Sequence, residues 1–316
     1  MPAISATAPG KIILFGEHAV VYGRPAIAVP VQQVRARVVV TAEPRGQPGE
    51  VRVLAPDIGL DVRLADLSEN QPLAKVIQSV LSALGISFSP ACMVRVTSTI
   101  PVAAGMGSGA AVSVAALRAF STFLGHTLPA EHVSDLAYEV EKLYHGTPSG
   151  IDNTVITYAV PVVFVRSQPI QFLRVERPFT VVIADTGVRS PTSVVVGDLR
   201  RLWQADPQLY ESLFDAAGRI ALSAQQAIEN GRPETLGPLM DENHHLLGEM
   251  GVSSLELDRL VQAARSAGAL GAKLSGAGRG GNMIALASPA TAPSIAQALQ
   301  SSGAVRTIIT QIEARN

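Results

Sequence analysis

One stretch decides how the rest of the chain is interpreted: Thr99-Ile-Pro-Val-Ala-Ala-Gly105-Met-Gly107-Ser108-Gly109-Ala-Ala-Val-Ser-Val-Ala-Ala116. Residues 93–100 are rich in β-branched side chains, which predicts a strand. Small and apolar residues follow up to Gly125, which predicts a helix that ends at a glycine. A strand, alternating glycines and a helix start favour a loop whose N–H groups bind an anion. A tight turn between two core elements is the alternative.

Two familiar phosphate-binding patterns fit this stretch poorly. No lysine follows the glycines, so the pattern G-x-x-x-x-G-K-[ST] is absent. The dinucleotide pattern G-x-G-x-x-[GA] occurs twice, at Gly105, Gly107 and Ala110 and at Gly276, Gly278 and Gly281. The second copy precedes a predicted strand, and the acidic residue near the expected distance from the first copy, Glu131, lies at a predicted helix start. A dehydrogenase is therefore disfavoured.

Composition indicates a well-buried globular protein. A length of 316 residues predicts two domains, and 47% hydrophobic with 16% charged residues excludes a disordered chain. A net charge of −1 provides no field for a nucleic-acid backbone or an anionic membrane. The only cysteine, Cys92, excludes an internal disulfide, and no basic segment precedes an apolar run at the N-terminus. We therefore expect a cytoplasmic protein that binds neither nucleic acid nor membrane; a homodimer is compatible with the sequence.

An uncharged segment, residues 96–117, is long enough to span a bilayer. It contains Pro101, three glycines and several serines and threonines, and it lacks flanking anchors. A membrane span is therefore rejected.

Polar residues bracket a predicted strand near the N-terminus, in Ala8-Pro-Gly-Lys11-Ile-Ile-Leu-Phe-Gly16-Glu17-His18. A solvated lysine and a capping glutamate would explain any one of them. Three polar groups around one buried strand, with glycines at both ends, raise the expectation of a site.

The periodicity predicts further strands and helices between this segment and residue 144. The predicted strands are residues 34–41, 51–54 and 61–64, and the predicted helices are residues 73–84 and 129–144. Glu141 lies next to the apolar stripe in the last turn of the second helix, where an acid opposes the helix dipole. It is either a surface glutamate or a metal ligand.

An aspartate follows in the turn His145-Gly-Thr-Pro-Ser149-Gly150-Ile-Asp152-Asn153. The residues after it, 155–165, are apolar and predict a strand. An aspartate in a turn rich in glycine and proline is ordinarily an Asx cap, so Asp152 is a cap unless other residues indicate a site.

The composition becomes polar around residues 167–177, where we place a domain boundary. Beyond it the pattern predicts strand 179–184, helices over 192–267, strands 272–275 and 283–287, helix 293–300 and strand 307–312. With the helices grouped, this is the β-α-β-β-α-β order of a ferredoxin-like domain. His244 and His245 are neighbours on a helix and face different sides, which indicates a structural role rather than a metal pair.

Three segments in a set order resemble the GHMP kinase family. They are Pro9-Gly-Lys11…Gly16-Glu17-His18, Pro101-x-x-x-Gly105-Met-Gly107-Ser108 and Ser275-Gly-Ala-Gly278. The His145–Asn153 turn and Asn243-His-x-Leu-Leu most resemble the branch that phosphorylates mevalonate at its 5-hydroxyl with ATP. The combination covers residues 6–288 and is far more specific than one glycine motif.

This resemblance implies an α+β fold of two domains. Residues 1–172 would form an N-terminal domain similar to domain 2 of ribosomal protein S5, and residues 173–316 the ferredoxin-like C-terminal domain. It also implies the cofactors ATP and Mg²⁺ and the role of each site residue. Asp152 lies beside the attacking hydroxyl, Lys11 pairs with it, Glu17 and His18 line the mevalonate pocket together with Asp152, and Ser108 and Glu141 hold Mg²⁺. The ATP phosphates are bound by Pro101, Val102, Ala103, Ala104, Gly105, Met106, Gly107, Ser108, Gly109, Ala110 and Ala111, with Ser275, Gly276, Ala277 and Gly278 closing over them.

Two residues depart from the family pattern. The family usually has two serines where this chain has Ser108-Gly109, and a glycine where it has Arg279. Arg279 either adds a charge near the phosphates or reaches solvent. The other functions considered are a kinase of phosphomevalonate or of the mevalonate 3-hydroxyl, a decarboxylase of the same fold, and a non-catalytic binding protein.

Overall fold

The computed structural model describes residues 3–101, 104–145 and 148–313. Val102 and Ala103, predicted to contact ATP, lie outside these residues, as do Gly146 and Thr147 of the predicted turn. The chain divides into two compact units. The first comprises Met1–Gly10, Val34–Pro101 and Gly107–Ala159, and the second comprises Lys11–Gln33, Val102–Met106 and Val160–Asn316. Both units mix helices with strands, which confirms the α+β class.

The first unit is built on a mixed sheet with helices. Its strands are β1 (Ile4–Phe15), β2 (Ala26–Ala42), β3 (Val51–Ala55), β4 (Leu60–Arg63) and β5 (Cys92–Ser98). The order of four of them is β4-β3-β5-β2, with β3 and β5 parallel and the other neighbouring pairs antiparallel. Strands β1 and β2 each continue into the second unit. The predicted single boundary between residues 172 and 173 stays a prediction.

The helices of the first unit are α1 (Pro72–Leu84), α2 (Ser108–Phe123), α3 (Ala130–His145) and α4 (Ile151–Tyr158). Helix α2 packs against α1, α3, α4 and β5. Most of its side chains are buried on all sides, which explains its run of alanine, serine and valine. Small side chains allow the neighbouring helices to approach α2 closely.

The expectation of a strand over residues 155–165 is wrong for most of that range. Residues 151–158 form α4, and only β6 (Val162–Phe164) is extended. The β-branched run Thr154-Val-Ile-Thr157 favours a strand by propensity. Packing against α2 and α3 overrides it, because the helix buries Ile151, Val155 and Ile156.

The second unit contains the predicted ferredoxin-like arrangement. Its remaining elements are β7 (Gln171–Phe172), β8 (Phe179–Asp185), α5 (Thr192–Ala205), α6 (Pro207–Glu229), α7 (Leu236–Glu249), α8 (Leu255–Ser266), β9 (Gly271–Ser275), β10 (Asn282–Ala287), α9 (Ala292–Ser301) and β11 (Arg306–Ile312). The sheet has the order β11-β8-β10-β9 and is antiparallel throughout. Helices α8 and α9 pack on it, and their apolar faces form the core with β8, β9 and β10. The β-α-β-β-α-β prediction is confirmed.

Two shorter features complete the description. The start of β2, Ala26–Ala28, pairs with β6, which in turn pairs with β7. None of the described helices has the length and hydropathy needed to cross a membrane.

Candidate active site

The first glycine loop, residues 104–109, joins the chain after β5 to helix α2. Gly105 and Gly107 have φ of +75° and +70°, a region that side chains other than glycine rarely adopt. Gly107 is the N-cap residue of α2. The first-turn N–H groups of a helix lack intrahelical acceptors and point outward, so the start of α2 can bind an anion.

The space beside Gly105 and the two alanines that follow the loop bear on how such a site could bind a ligand. Ala110 and Ala111 are buried in α2, so they offer only backbone groups to a ligand. Apart from its chain neighbours, a Cβ on Gly105 would have no described heavy atom within 4 Å. The loop therefore leaves open space beside Gly105, as the close approach of a phosphate to backbone requires.

The second glycine turn, residues 275–281, joins β9 to β10 and lies beside the tip of the first loop. The Asn282 side-chain amide donates a hydrogen bond to the carbonyl of Ala104. A Cβ on Gly281 would lie 3.3 Å from that same oxygen, and one on Gly276 would lie 3.9 Å from the Gly105 oxygen. The N–H of Lys11 donates to the Met106 carbonyl at 3.0 Å. Residues 104–106 are thus held between Lys11 and the second turn.

Other segments hold the second turn tightly. A Cβ on Gly278 would lie 1.9 Å from the Val252 oxygen, and one on Gly280 would lie 2.5 Å from the Val188 oxygen. The N–H of Gly281 donates to Val188 at 2.9 Å, and the N–H of Thr186 donates to Gly281 at 2.9 Å. These glycines are required because neighbouring backbone occupies the space of a side chain.

Ser275, predicted to close over the ATP phosphates, is engaged with β1. Its hydroxyl donates to the Ile13 carbonyl at 2.8 Å and accepts from the Ile13 N–H at 3.2 Å. The hydroxyl therefore fixes the end of β9 against β1.

Lys11 is buried, with 4% of its surface exposed, so it is not the solvated lysine considered from the sequence. Glu17 is fully buried, and its Oε1 accepts a hydrogen bond from the ammonium of Lys273, 256 residues away. Lys273 also donates to the Leu274 carbonyl at 2.7 Å. Burial raises the pKa of the Glu17 carboxyl and lowers the pKa of the Lys273 ammonium, and their mutual attraction opposes both shifts.

No role for Lys273 could be predicted from the sequence, because no local pattern connects a lysine in a strand to a glutamate so far away. The other Glu17 oxygen, Oε2, is buried and has no hydrogen-bond partner among the described residues. Glu17 exposes no surface, so in this structure it supports its neighbours rather than facing an open pocket.

His18 connects the N-terminal motif to the second glycine turn. Its backbone has φ of +60°, and its Nε2 lies 2.9 Å from the Ala277 carbonyl. Burial lowers the pKa of His18 to about 4, and the positive charges of Arg279 and Lys273 act in the same direction. The ring is therefore neutral near pH 7. A carbonyl only accepts, so Nε2 carries the proton and Nδ1 is an acceptor.

His244 and His245 have the structural character predicted for them. Nδ1 of His244 accepts from the Leu274 N–H at 3.3 Å, and its Nε2 lies 3.2 Å from Asp258. His245 is exposed beside Glu249.

Ser108, Glu141 and Asp152 lie on three helices that pack against one another, α2, α3 and α4. Glu141 has only 3% of its surface exposed, which excludes the surface glutamate considered from the sequence. Asp152 is the second residue of α4, and the N-cap residue is Gly150, with φ of +94°. Asp152 is therefore not an N-cap.

Asn153 fixes the position of α4 on α3, a role that the sequence did not reveal. Its amide nitrogen donates to the Ser134 carbonyl at 3.1 Å and to the Ser134 hydroxyl at 2.9 Å. Ser134 lies two helical turns before Glu141 on α3. The hydrogen bonds between Asn153 and Ser134 therefore fix α4, which carries Asp152, against α3, which carries Glu141.

The donor set on these helices fits Mg²⁺ better than a metal that needs a protein cage. A carboxylate and a hydroxyl are hard oxygen donors, and Mg²⁺ needs only one or two protein ligands besides water and substrate phosphates. Within the described ranges no group of three or more His, Cys, Asp or Glu side chains could hold a metal.

Glycine-rich segments, a helix start that can bind an anion, and buried acidic and basic side chains are features typical of proteins that bind and transfer phosphate groups. The family model of the GHMP kinases N-terminal domain matches residues 72–159, and the GHMP kinases C-terminal model matches residues 224–305. The chain belongs to the GHMP kinase family and is an ATP-dependent kinase.

Relatives within that family are similar over nearly the whole chain. A mevalonate kinase of Pyrococcus horikoshii is 37% identical, over 96% of this chain and 93% of the relative. One from Thermococcus gammatolerans is 38% identical, over 90% of this chain and 89% of the relative. The crystal structure of L. major mevalonate kinase in complex with R-mevalonate has a TM-score of 0.82 and 32% identity, and covers 98% of this chain and 95% of that one.

Proposed function

We propose that this chain transfers the γ-phosphoryl group of ATP to the 5-hydroxyl of mevalonate, giving 5-phosphomevalonate and ADP in isoprenoid biosynthesis. The observation that carries the proposal is the 37% identity, over 96% of the chain, to a protein named mevalonate kinase. A solved relative with 32% identity binds R-mevalonate. Cytoplasmic location stays a prediction, as does a homodimer.

The two glycine segments bind the phosphates in this proposal. Phosphoryl transfer asks a protein mainly to position the reactants and neutralise charge. N–H groups at the start of α2 and along the first loop point at the phosphates, and the absence of a Cβ at Gly105 gives them room. The second turn supports residues 104–106 through Asn282.

Asp152 takes the proton of the attacking hydroxyl as the new O–P bond forms and the bond to ADP breaks. An ionised carboxylate within hydrogen-bond reach of an alcohol accelerates such a step about 10²–10⁴-fold. Lys11 contributes positive charge beside the developing alkoxide. Asn153 keeps the Asp152 helix in place through its bonds to Ser134.

Ser108 and Glu141 would hold Mg²⁺, which neutralises charge on the transferring phosphoryl group. Gly109 provides no hydroxyl, and a water molecule would take the place of that ligand on the ion. His18 lines the mevalonate pocket and presents Nδ1 as a hydrogen-bond acceptor. Glu17 acts on the pocket indirectly, through its ion pair with Lys273.

The experiment is ATP turnover with mevalonate, phosphomevalonate, diphosphomevalonate, homoserine and galactose as acceptors. We expect turnover with mevalonate, and a phosphorus NMR spectrum of the product that shows one phosphomonoester on C5. Turnover with phosphomevalonate, a 3-phosphate product, or carbon dioxide release from diphosphomevalonate would each replace the proposal by that alternative.

The role of Asp152 is tested in the same assay. Asp152→Asn keeps the size of the side chain and removes the proton acceptor, so kcat should fall about 10²–10⁴-fold while ATP binding persists. Asp135→Asn, an exposed carboxylate on α3, is the matched control and should retain full activity. If Asp152→Asn keeps more than about a tenth of wild-type kcat, Asp152 is not the base.

A further inference from the structure

Arg279 occupies a position of the second glycine turn where the family pattern has glycine. Its φ is +54°, a conformation that costs a residue with a side chain about 1 kcal/mol or more. A strained arginine in place of the residue that fits without strain suggests a compensating contact of the side chain.

The guanidinium of Arg279 is committed to protein groups. Its Nη1 donates to Oδ2 of Asp198 at 2.5 Å, and its Nε donates to the Gly251 carbonyl at 3.2 Å. Its backbone N–H donates to the Val252 carbonyl at 2.8 Å. The side chains of Arg279 and Asp198 are 35% and 26% exposed. Neither alternative from the sequence, a charge aimed at the phosphates or a side chain in solvent, describes this arrangement.

Asp198 lies on α5 and also binds a second arginine. Arg201 donates to Oδ1 of Asp198 at 2.5 Å, but it is one turn away on the same helix and 76% exposed. That pair joins two residues of one helix. The Arg279 pair joins α5 to the second glycine turn, 81 residues away.

We propose that Arg279 is a positioning residue. Together with Asp198 it fixes the second glycine turn to α5, and so holds residues 104–106 of the first glycine loop in the geometry that binds ATP. On its other side the turn contacts the first loop: Asn282 bonds Ala104, and Gly276 and Gly281 lie beside the Gly105 and Ala104 carbonyls. A shift of the turn therefore moves residues 104–106. This inference rests on the proposed function, because it assumes that this loop binds ATP.

The test compares ATP affinity in Arg279→Gly, Asp198→Asn and the double variant, by calorimetric titration and by KM. We expect each single variant to weaken ATP binding about two- to fivefold, because a partly exposed ion pair makes only a modest contribution to the geometry that it holds. The double variant should bind ATP as Arg279→Gly does, because both single variants remove the Arg279–Asp198 contact and only Arg279→Gly also removes the bond to Gly251. kcat at saturating ATP and KM for mevalonate should stay within about twofold. Arg279→Lys should recover part of the affinity, since it keeps the charge.

Arg201→Gln is the matched control, because it removes the other arginine on the same carboxylate and should leave ATP affinity unchanged. Thermal unfolding distinguishes a positioning role from a role in stability. Arg279→Gly loses the ion pair but also relieves the strain of the positive φ, so the midpoint of thermal unfolding should stay near that of the wild type. If every variant binds ATP as tightly as the wild type does, the proposed role of the Arg279–Asp198 pair is wrong and the proposed function is unaffected. A wild type that binds no ATP would overturn the proposed function instead, and additive effects in the double variant would show that Arg279 and Asp198 act separately.

Discussion

The two glycine-rich segments use the same residue for different physical reasons. In the first loop, Gly105 is required by its φ of +75°, and the space beside it is open among the described residues. In the second turn, Gly278 also has positive φ, but a Cβ there would lie 1.9 Å from the Val252 oxygen. The first segment leaves room for a ligand, whereas neighbouring backbone fills the room around the second.

This difference predicts that the first loop serves mainly to bind ATP and that the second turn serves mainly to stabilise the fold. A substitution in the first loop should weaken ATP binding and leave most of the fold intact. A substitution in the second turn should act first on stability, because packed backbone has to move. The four predictions that follow test this separation.

Gly278→Ala should have the largest effect. The added methyl group overlaps the Val252 carbonyl, and the residue keeps a φ of +80°, so we expect a loss of about 3–4 kcal/mol in the free energy of unfolding. Gly268→Ala is the matched control: its φ is +92°, but a Cβ there meets no described atom within 4 Å. It should cost about 1 kcal/mol. Urea unfolding measures both, and equal losses would mean that packing does not distinguish the second turn.

Acid should lower the free energy of unfolding through two buried histidines that hold the second turn and the end of strand β9. Burial lowers the pKa of both His18 and His244 to about 4, and His18 bonds Ala277 while His244 accepts from Leu274. Between pH 6.5 and 4 the unfolded chain binds a proton at each histidine that the folded chain does not, so stability falls as pH falls. From pH 7 to 5 each histidine should cost about 2 kcal/mol.

Urea unfolding at pH 7, 6 and 5 measures this dependence. His18→Asn and His244→Gln should each reduce the slope of stability against pH, whereas the exposed His245→Gln should leave it unchanged. Asn tolerates the positive φ of His18. An unchanged slope in both buried variants would contradict the neutral, buried state of the two rings.

Much of the fold could be predicted because its signals are local. Strands β9 and β10 begin one residue before the predicted 272 and 283, and α1 ends before Gly85 as its pattern predicts. Gly85 has φ of +66°, the left-handed conformation expected after a helix. Turn residues and apolar periodicity determine such features within a few positions of sequence.

What could not be predicted depends on packing or on distant residues. The run after Asp152 favours a strand by propensity and became helical because α2 and α3 cover it. The Glu17–Lys273 and Arg279–Asp198 pairs join residues 256 and 81 positions apart, and no local pattern reports them. The roles of Lys11, Ser108, Glu141 and Asp152 came from resemblance, and they stay predictions until variants are assayed.

Gly107→Val should act mainly on the ligand. A β-branched residue at a φ of +70° is strained, and position 107 is the N-cap residue of α2, where the proposed phosphate-binding N–H groups begin, so ATP should bind at least about tenfold more weakly. Gly125→Val is the matched control, because Gly125 follows the other end of α2 with a φ of +84° and no described atom within 4 Å of a Cβ. It carries similar strain and should keep wild-type ATP affinity. Equal affinity in the two variants, by calorimetric titration, would show that the first loop is only a turn.

Gly109→Ser should have the smallest effect and bears on the metal. Gly109 is the second residue of α2, outside the positive-φ region, so a serine fits the backbone and slightly favours the helix. It would restore a hydroxyl that the family usually has beside the proposed Mg²⁺ site. Because Mg²⁺ readily keeps water in place of a protein ligand, we expect the free Mg²⁺ needed for half-maximal turnover to change less than about twofold.

The comparison variants give that result its meaning. Ser108→Ala should raise the Mg²⁺ requirement several-fold, and Glu141→Gln should raise it further, because a carboxylate binds Mg²⁺ more strongly than a hydroxyl. All are measured as turnover against free Mg²⁺ at fixed MgATP. A large gain in activity from Gly109→Ser would show instead that the wild-type metal site is incomplete, and that the first loop limits catalysis through a missing side chain as well as through its backbone.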